Sequence, residues 1–73
     1  MSPYAGASAA RAYALQASVL AFLRREQEPR TMHEIERALG RQCHAAMREL
    51  SRRGEVEAVG MPGPRVRAGW RVT

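Results

Sequence analysis

A thiol and an imidazole are adjacent at Cys43 and His44, and such a pair can act as a nucleophile and its base. Both fall in a predicted helix, where consecutive residues point about 100° apart, so the two groups do not face each other. Cys43 is instead expected to be a small core residue. A zinc site would need more ligands than this cysteine with His33 and His44, whose spacing matches no zinc pattern. We therefore expect no metal.

The remaining polar residues form no catalytic pattern either. No paired carboxylates lie in an apolar setting, and no glycine-rich phosphate loop precedes a predicted helix. The single cysteine excludes an internal disulfide. We expect no enzymatic activity, no cofactor and, in a chain with one domain, no small-molecule ligand.

The basic residues point to a different chemistry. All twelve are arginine, and against seven acidic residues they give a net charge of +5 and a pI near 11.0. The planar guanidinium group can make two hydrogen bonds at once to a phosphate or to the edge of guanine. This composition favours a nucleic acid as the partner, although a GC-rich genome would produce the same preference for arginine over lysine.

The length of 73 residues allows one hydrophobic core, since a domain of this size buries only about 60% of the surface that its unfolded chain exposes. We expect a flexible tail at residues 1–6 and a folded domain at residues 7–73. The first ten residues lack the charged start and apolar run of a signal peptide, and no stretch approaches the roughly 18 apolar residues of a membrane span. We therefore expect a cytoplasmic, nucleoid-associated protein without membrane contact.

An alanine-rich segment without glycine or proline predicts the first helix at residues 7–27. One apolar stripe on it is expected to face the core: Ala12, Leu15, Val19, Phe22 and Leu23. A second stripe consists mostly of alanine: Ala10, Tyr13, Ala14, Ala17, Leu20 and Ala21. Two explanations of the second stripe stay open. It is either a solvated face rich in a good helix former, with Leu20 or Tyr13 under another segment, or the seam of a homodimer.

Two shorter helices follow. Thr31 and Glu34 have the spacing of a capping box, in which each side chain accepts a hydrogen bond from the other residue's backbone amide, and the helix is expected to end at Gly40. A third helix is predicted at residues 41–53. Its apolar face comprises Cys43, Ala46, Met47 and Leu50. Its outward face is polar and basic: Arg41, Gln42, His44, Ala45, Arg48 and Arg52.

Alternation with a period of two predicts a β-hairpin over the last part of the sequence. Val56 and Ala58 alternate with two glutamates, and a second run places four residues on one side: Val66, Ala68, Trp70 and Val72. Between the runs, residues 60–64 contain two glycines and two prolines, which predicts a stiff loop. Trp70 is in phase with the apolar residues, and we expect it to cover helices 1 and 3 rather than to stack on a base.

Three runs of residues carry a resemblance to a known family. They are Thr31-x-x-Glu34-Ile35-x-x-Ala38-Leu39-Gly40, then Cys43-x-x-Ala46-Met47-x-x-Leu50-x-x-x-Gly54-x-Val56, and finally Trp70-Arg71-Val72-Thr73. From about residue 7 to residue 73 the chain resembles the winged helix-turn-helix family of small bacterial and phage transcriptional regulators. The resemblance implies an α+β fold in which three helices are followed by a β-hairpin wing.

The resemblance also implies where DNA is bound. Helix 41–53 would be the recognition helix in the major groove, and the residues nearest the bases would be Gln42, His44, Ala45 and Arg48. Gln42 can pair with adenine and Arg48 with guanine, each contact contributing about 1–3 kcal/mol of discrimination. Arginines of this helix and of the wing, residues 60–67, would meet phosphates or the minor groove: Arg41, Arg52, Arg53, Arg65, Arg67 and Arg71.

We therefore expect a sequence-specific regulator of transcription that binds double-stranded DNA. As a homodimer through helix 1, it would bind half-sites about one helical turn, 34–36 Å, apart. Two alternatives stay open: a winged-helix protein-interaction module, such as a phage or plasmid factor that binds a host protein, and an RNA or non-specific nucleic-acid binder. The arginines also have competing partners in glutamates of the same elements: Glu49, Glu55 and Glu57.

Overall fold

A computed structural model describes residues 3–73, with side chains from residue 10 onward. Its elements are, in order, α1 Pro3–Arg25, α2 Met32–Leu39, α3 His44–Arg52, β1 Val56–Gly60 and β2 Ala68–Val72. The two strands pair antiparallel. Three helices followed by a hairpin confirm the predicted α+β fold class and agree with the layout of a winged helix. Residues 61–67, which connect the strands, are called the wing loop below.

α1 differs from the prediction at both ends. It includes Pro3, four residues before the expected start at Ala7, and it ends at Arg25, two residues early. Proline suits the first turn of a helix because its fixed φ fits and its missing N–H would have no partner there. The predicted flexible tail, residues 1–6, is therefore helical from Pro3 on, while residues 1–2 lie outside the described part of the chain.

The core lies where the three helices meet β1. Its buried members are Val19, Leu23, Ile35, Cys43, Ala46, Met47, Leu50 and Val56. Trp70 is half-buried and packs against this cluster, which confirms its predicted structural role. Ala12, predicted to face the core, is exposed because α1 first reaches the core at Leu15.

α2 has the ends that its sequence predicts. The Glu34 amide donates to Thr31 Oγ1 at 3.2 Å, and the Thr31 amide donates to Glu34 Oε1 at 3.0 Å, so the capping box is complete. The bond from the Thr31 amide, and after it the Thr31 side chain and Arg30, hold the pKa of the Glu34 carboxyl below its ordinary value. Gly40 ends the helix with φ at +68°, in the left-handed region that glycine adopts without strain.

A short third segment extends the hairpin. Arg30, just before α2, exchanges two backbone hydrogen bonds with Trp70 of β2, at 3.0 and 2.7 Å. The segment between α1 and α2 is thereby joined to the last strand. This pairing fixes the hairpin relative to the start of α2.

The wing loop is longer than predicted. The last ladder pair is Gly60 with Ala68, and the Met61 amide donates to the Arg67 carbonyl at 3.0 Å to close the loop. Prolines within the loop cannot donate to a ladder, so the strands stop short of it. Val66, predicted on the core face, consequently lies outside β2 and is fully exposed.

Candidate nucleic-acid interface

α3 begins at His44, three residues later than predicted. The amides of Gly40 and Arg41 both donate to the Glu36 carbonyl, so the chain is still completing the end of α2 at Arg41. Arg41 and Gln42 therefore lie in an exposed turn and not on α3. The prediction of a helix over residues 41–53 is wrong for its first three residues, because the Arg41 amide still completes the end of α2 and Cys43 is only the N-cap of α3.

A carboxylate from α2 caps α3. Cys43 is the N-cap residue of α3, and its own side chain makes no capping bond. Its backbone N–H donates instead to Glu36 Oε2 at 2.7 Å. The same carboxylate oxygen lies 3.7 Å from His44 Nε2. A negative charge is favourable beside the exposed amides at the start of a helix, so Glu36 fixes the turn that orients α3.

Sequence reasoning missed the role of Glu36. Its partner lies seven residues further on, across a turn, whereas a capping box joins residues three apart and helical pairs join residues three or four apart. No local pattern could therefore have indicated it.

The solvent-facing side of α3 carries two of the predicted base-reading residues in line. His44 and Arg48 lie one turn apart, and both are exposed. The Arg48 guanidinium makes no ion pair with any residue from 10 to 73. Ala45 is exposed too, but it lies toward α1, where it lines a groove with Ala12 and Tyr13.

Two of the predicted DNA-contacting arginines are paired with the competing glutamates. Arg52 donates to both carboxylate oxygens of Glu49, through Nε at 3.1 Å and through Nη2. These bonds lower the pKa of the Glu49 carboxyl. Arg71 Nε donates to Glu57 Oε1 at 2.6 Å, directly across the hairpin. The sequence left open whether Arg71 pairs with a glutamate across the hairpin or binds DNA, and the structure favours the cross-strand pair.

Arg53 connects three elements. Its Nη2 donates to Gln16 Oε1 of α1 at 2.6 Å and lies 2.9 Å from Glu55 Oε2, just before β1. Gln16 is buried, with only 8% of its surface exposed, and sequence reasoning missed it. The sequence signal that could have indicated it is the position of Gln16, a polar residue one helical turn before the core residue Val19 and so on the same face of α1. The Arg53 guanidinium therefore acts inside the domain.

The other predicted arginines have no such partner. Arg41, Arg65 and Arg67 are exposed and make no ion pair within residues 10–73. Residues 37–73 contain eight arginines but only three glutamates, and each of these glutamates is already in an ion pair. The net positive charge of this region therefore rests on Arg37 of α2, on α3, on the turn before α3 and on the wing loop.

The alanine stripe of α1 is open to solvent. Its exposed residues are Ala10, Tyr13, Ala14, Ala17 and Ala21, while Leu20 is half-buried against the core. Tyr13 keeps 65% of its surface exposed, so no described segment covers it. Beside this stripe, a mainly apolar groove of about 400 Å³ runs between α1 and α3. Arg11 is the only charged residue from position 3 to position 23.

Comparison with known proteins adds no relatives: no protein-family model matches the chain, and no curated protein has a significantly similar sequence. Within residues 3–73, no three histidine, cysteine or acidic side chains gather as a metal site would require. In the same part of the chain, no helix combines the length and hydropathy needed to cross a bilayer.

Proposed function

We propose that the protein binds double-stranded DNA in a sequence-specific manner and regulates transcription, with α3 in the major groove and the wing loop on the backbone or in the minor groove. Arg48 carries this proposal. It lies on the exposed face of the second helix of a helix-turn-helix and has no carboxylate partner within residues 10–73. An exposed guanidinium without a carboxylate partner can present two donors to guanine N7 and O6.

The residues around Arg48 fit the same role. His44, one turn earlier on the same exposed face, can donate from its imidazole ring to a base acceptor or a phosphate oxygen. We assign Arg41, in the turn before α3, to a phosphate contact. Gln42 and Ala45 would contact bases only at the two sides of the surface formed by His44 and Arg48, since Gln42 lies in the turn and the Ala45 side chain lies toward α1.

Charge supports DNA over a protein partner. The wing loop lies in a stretch, positions 58–73, that has no acidic residue, and the acidic residue of α3, Glu49, is already paired with Arg52. A surface of this kind gains free energy by releasing counterions from a phosphate backbone. Because Arg52, Arg53 and Arg71 are engaged in ion pairs, we assign backbone contacts chiefly to Arg41, Arg65 and Arg67.

We also propose that the DNA-binding form is a homodimer through α1. The exposed stripe of small residues allows a second helix to approach closely, and Tyr13 offers a large apolar surface beside it. A two-fold dimer would place two copies of α3 on half-sites about one helical turn apart. Sedimentation should give a dimer that Ala17→Glu converts to a monomer. A wild-type monomer at high concentration would contradict the seam.

Selection of bound sequences from a random pool of duplex DNA tests the proposed function. We expect enrichment of one motif, arranged as an inverted repeat if the dimer is correct. Binding to the pool without enrichment would support the non-specific alternative. An absence of DNA binding even at low salt, with RNA also unbound, would contradict nucleic-acid binding and leave the protein-interaction module.

A further inference from the structure

Val66 stands in solvent at the tip of the wing loop. The whole side chain is exposed, at 106% of its reference area, although the sequence pattern predicts a core position. Since β2 begins only at Ala68, no cross-strand neighbour covers it. Pro62 and Pro64, in the same loop, are exposed as well. Three apolar residues therefore share one exposed tip.

The base of this loop is anchored to the domain. The Met61 amide donates to the Arg67 carbonyl at 3.0 Å, and the Met61 side chain turns inward to cover Gly69. The two prolines restrict φ on the way to the tip. The loop is thus attached at its base, with the Met61 side chain packed against the domain and the Val66 side chain in solvent.

Two cations frame Val66. Arg65 and Arg67 are exposed, make no ion pair within residues 10–73, and line a shallow concavity of about 220 Å³ with Gly63 and Pro64. The only acidic residue on the hairpin strands, Glu57, is paired with Arg71. The tip therefore combines an apolar side chain with uncompensated positive charge on both sides.

We infer that the wing loop enters the minor groove and that Val66 wedges between base pairs and bends the DNA; this inference rests on the proposed function. Contacts with phosphates alone would require only the two arginines of the wing loop. An apolar side chain such as Val66 is stabilised when it is removed from water, which happens between base pairs and not along the phosphate backbone. The negative potential of a narrow minor groove attracts Arg65 and Arg67. An apolar side chain that enters a base step unstacks it and kinks the duplex by about 20–90°.

The test is a bending assay on a duplex of about three helical turns that carries the selected motif, with a donor and an acceptor dye at its ends. We expect the wild-type protein to raise the energy transfer between the dyes. Val66→Ser should abolish this rise when both proteins are compared at concentrations that saturate the duplex. Val66→Leu keeps the apolar bulk and should still bend the duplex. Thermal unfolding of both variants checks that the exposed position leaves the fold intact.

The outcomes separate this inference from the function on which it rests. Tight binding by the wild-type protein without a change in energy transfer overturns the wedge but leaves DNA binding in place. Equal bending by wild type and Val66→Ser also overturns it. Vesicles that contain phosphatidylglycerol provide a second arm: binding to them that requires Val66, with DNA left straight, would assign the tip to an anionic membrane surface. Failure to bind DNA at low salt would overturn both proposals.

Discussion

The Glu36 carboxylate accepts a hydrogen bond from the backbone N–H of Cys43 at 2.7 Å, and so joins α2 to the first residue of α3. The bond spans the turn of the helix-turn-helix and replaces the side-chain cap that Cys43 does not provide. It also places a negative charge 3.7 Å from His44 Nε2. The orientation of the proposed recognition helix therefore depends on a residue of the helix before it.

Replacing Glu36 should loosen this turn. Glu36→Ala removes the acceptor, and we expect a loss of about 1 kcal/mol in the free energy of unfolding, as for other helix caps. Glu36→Gln keeps an acceptor oxygen and should lose less. Urea unfolding measures the change, with Glu28→Ala as a control because that residue is exposed and makes no ion pair within residues 10–73. Equal stability of Glu36→Ala and wild type would contradict the cap.

Gly69 should not tolerate a side chain. A Cβ there would lie 2.9 Å from Pro29 Cβ and would collide with the Met61 sulfur, and the proline cannot move aside. We expect Gly69→Ala to cost about 1–3 kcal/mol of stability, the usual range for overpacking. Gly60→Ala is the matched control in β1, since a Cβ at Gly60 meets nothing within 4 Å. The prediction fails if both variants unfold at the same urea concentration.

The Cys43 thiol should react only when the domain opens. Cys43 is fully buried, and burial raises the pKa of its thiol, so little thiolate exists in the native state. We expect its labelling by a disulfide reagent to be at least about a hundredfold slower than that of an exposed thiol. Ser51→Cys in a Cys43→Ala background supplies that thiol on the same helix. Similar rates for the two would show that Cys43 is accessible.

The capping box makes part of the stability dependent on pH. Because the pKa of Glu34 lies below its ordinary value of 4.5 in the folded protein, its contribution is present above about pH 4.5 and disappears as the pH falls through the lower folded value. Glu34→Gln removes the titration. Melting temperatures measured from neutral to acidic pH should therefore converge for wild type and Glu34→Gln below pH 4.5. Parallel curves would contradict the assignment.

The fold was predictable because its signals are local. The capping box at Thr31, the left-handed Gly40 and the apolar spacing of α3 each depend on a few neighbouring residues. Propensity and periodicity report such features directly. The start of α3 was not predictable in the same way. Arginine at position 41 is compatible with a helix, but the Arg41 amide completes the end of α2 instead.

The composition of the candidate interface was less predictable than its location. Sequence alone placed the predicted DNA-contacting arginines at the surface, but which of them keep a free guanidinium depends on contacts between elements. Arg53 meets Gln16, thirty-seven residues away, and Arg71 meets Glu57 across the hairpin. The alternation of apolar residues predicted Val66 on the core face of β2, yet the strand pairing ends at Gly60 and Ala68 and leaves Val66 in the loop. Such outcomes depend on tertiary packing, which overrides local pattern.

The most direct test of the central claim is the affinity of Arg48→Ala for the selected DNA motif, compared with Arg24→Ala. Both variants remove one exposed arginine, so they lower the net charge equally, but only Arg48 lies on α3. We predict that Arg48→Ala weakens binding by about 1–3 kcal/mol and relaxes the preference for one base, while Arg24→Ala causes a much smaller, sequence-independent loss. Equal losses for the two variants, with the base preference unchanged, would contradict the assignment of α3 as the helix that reads the bases.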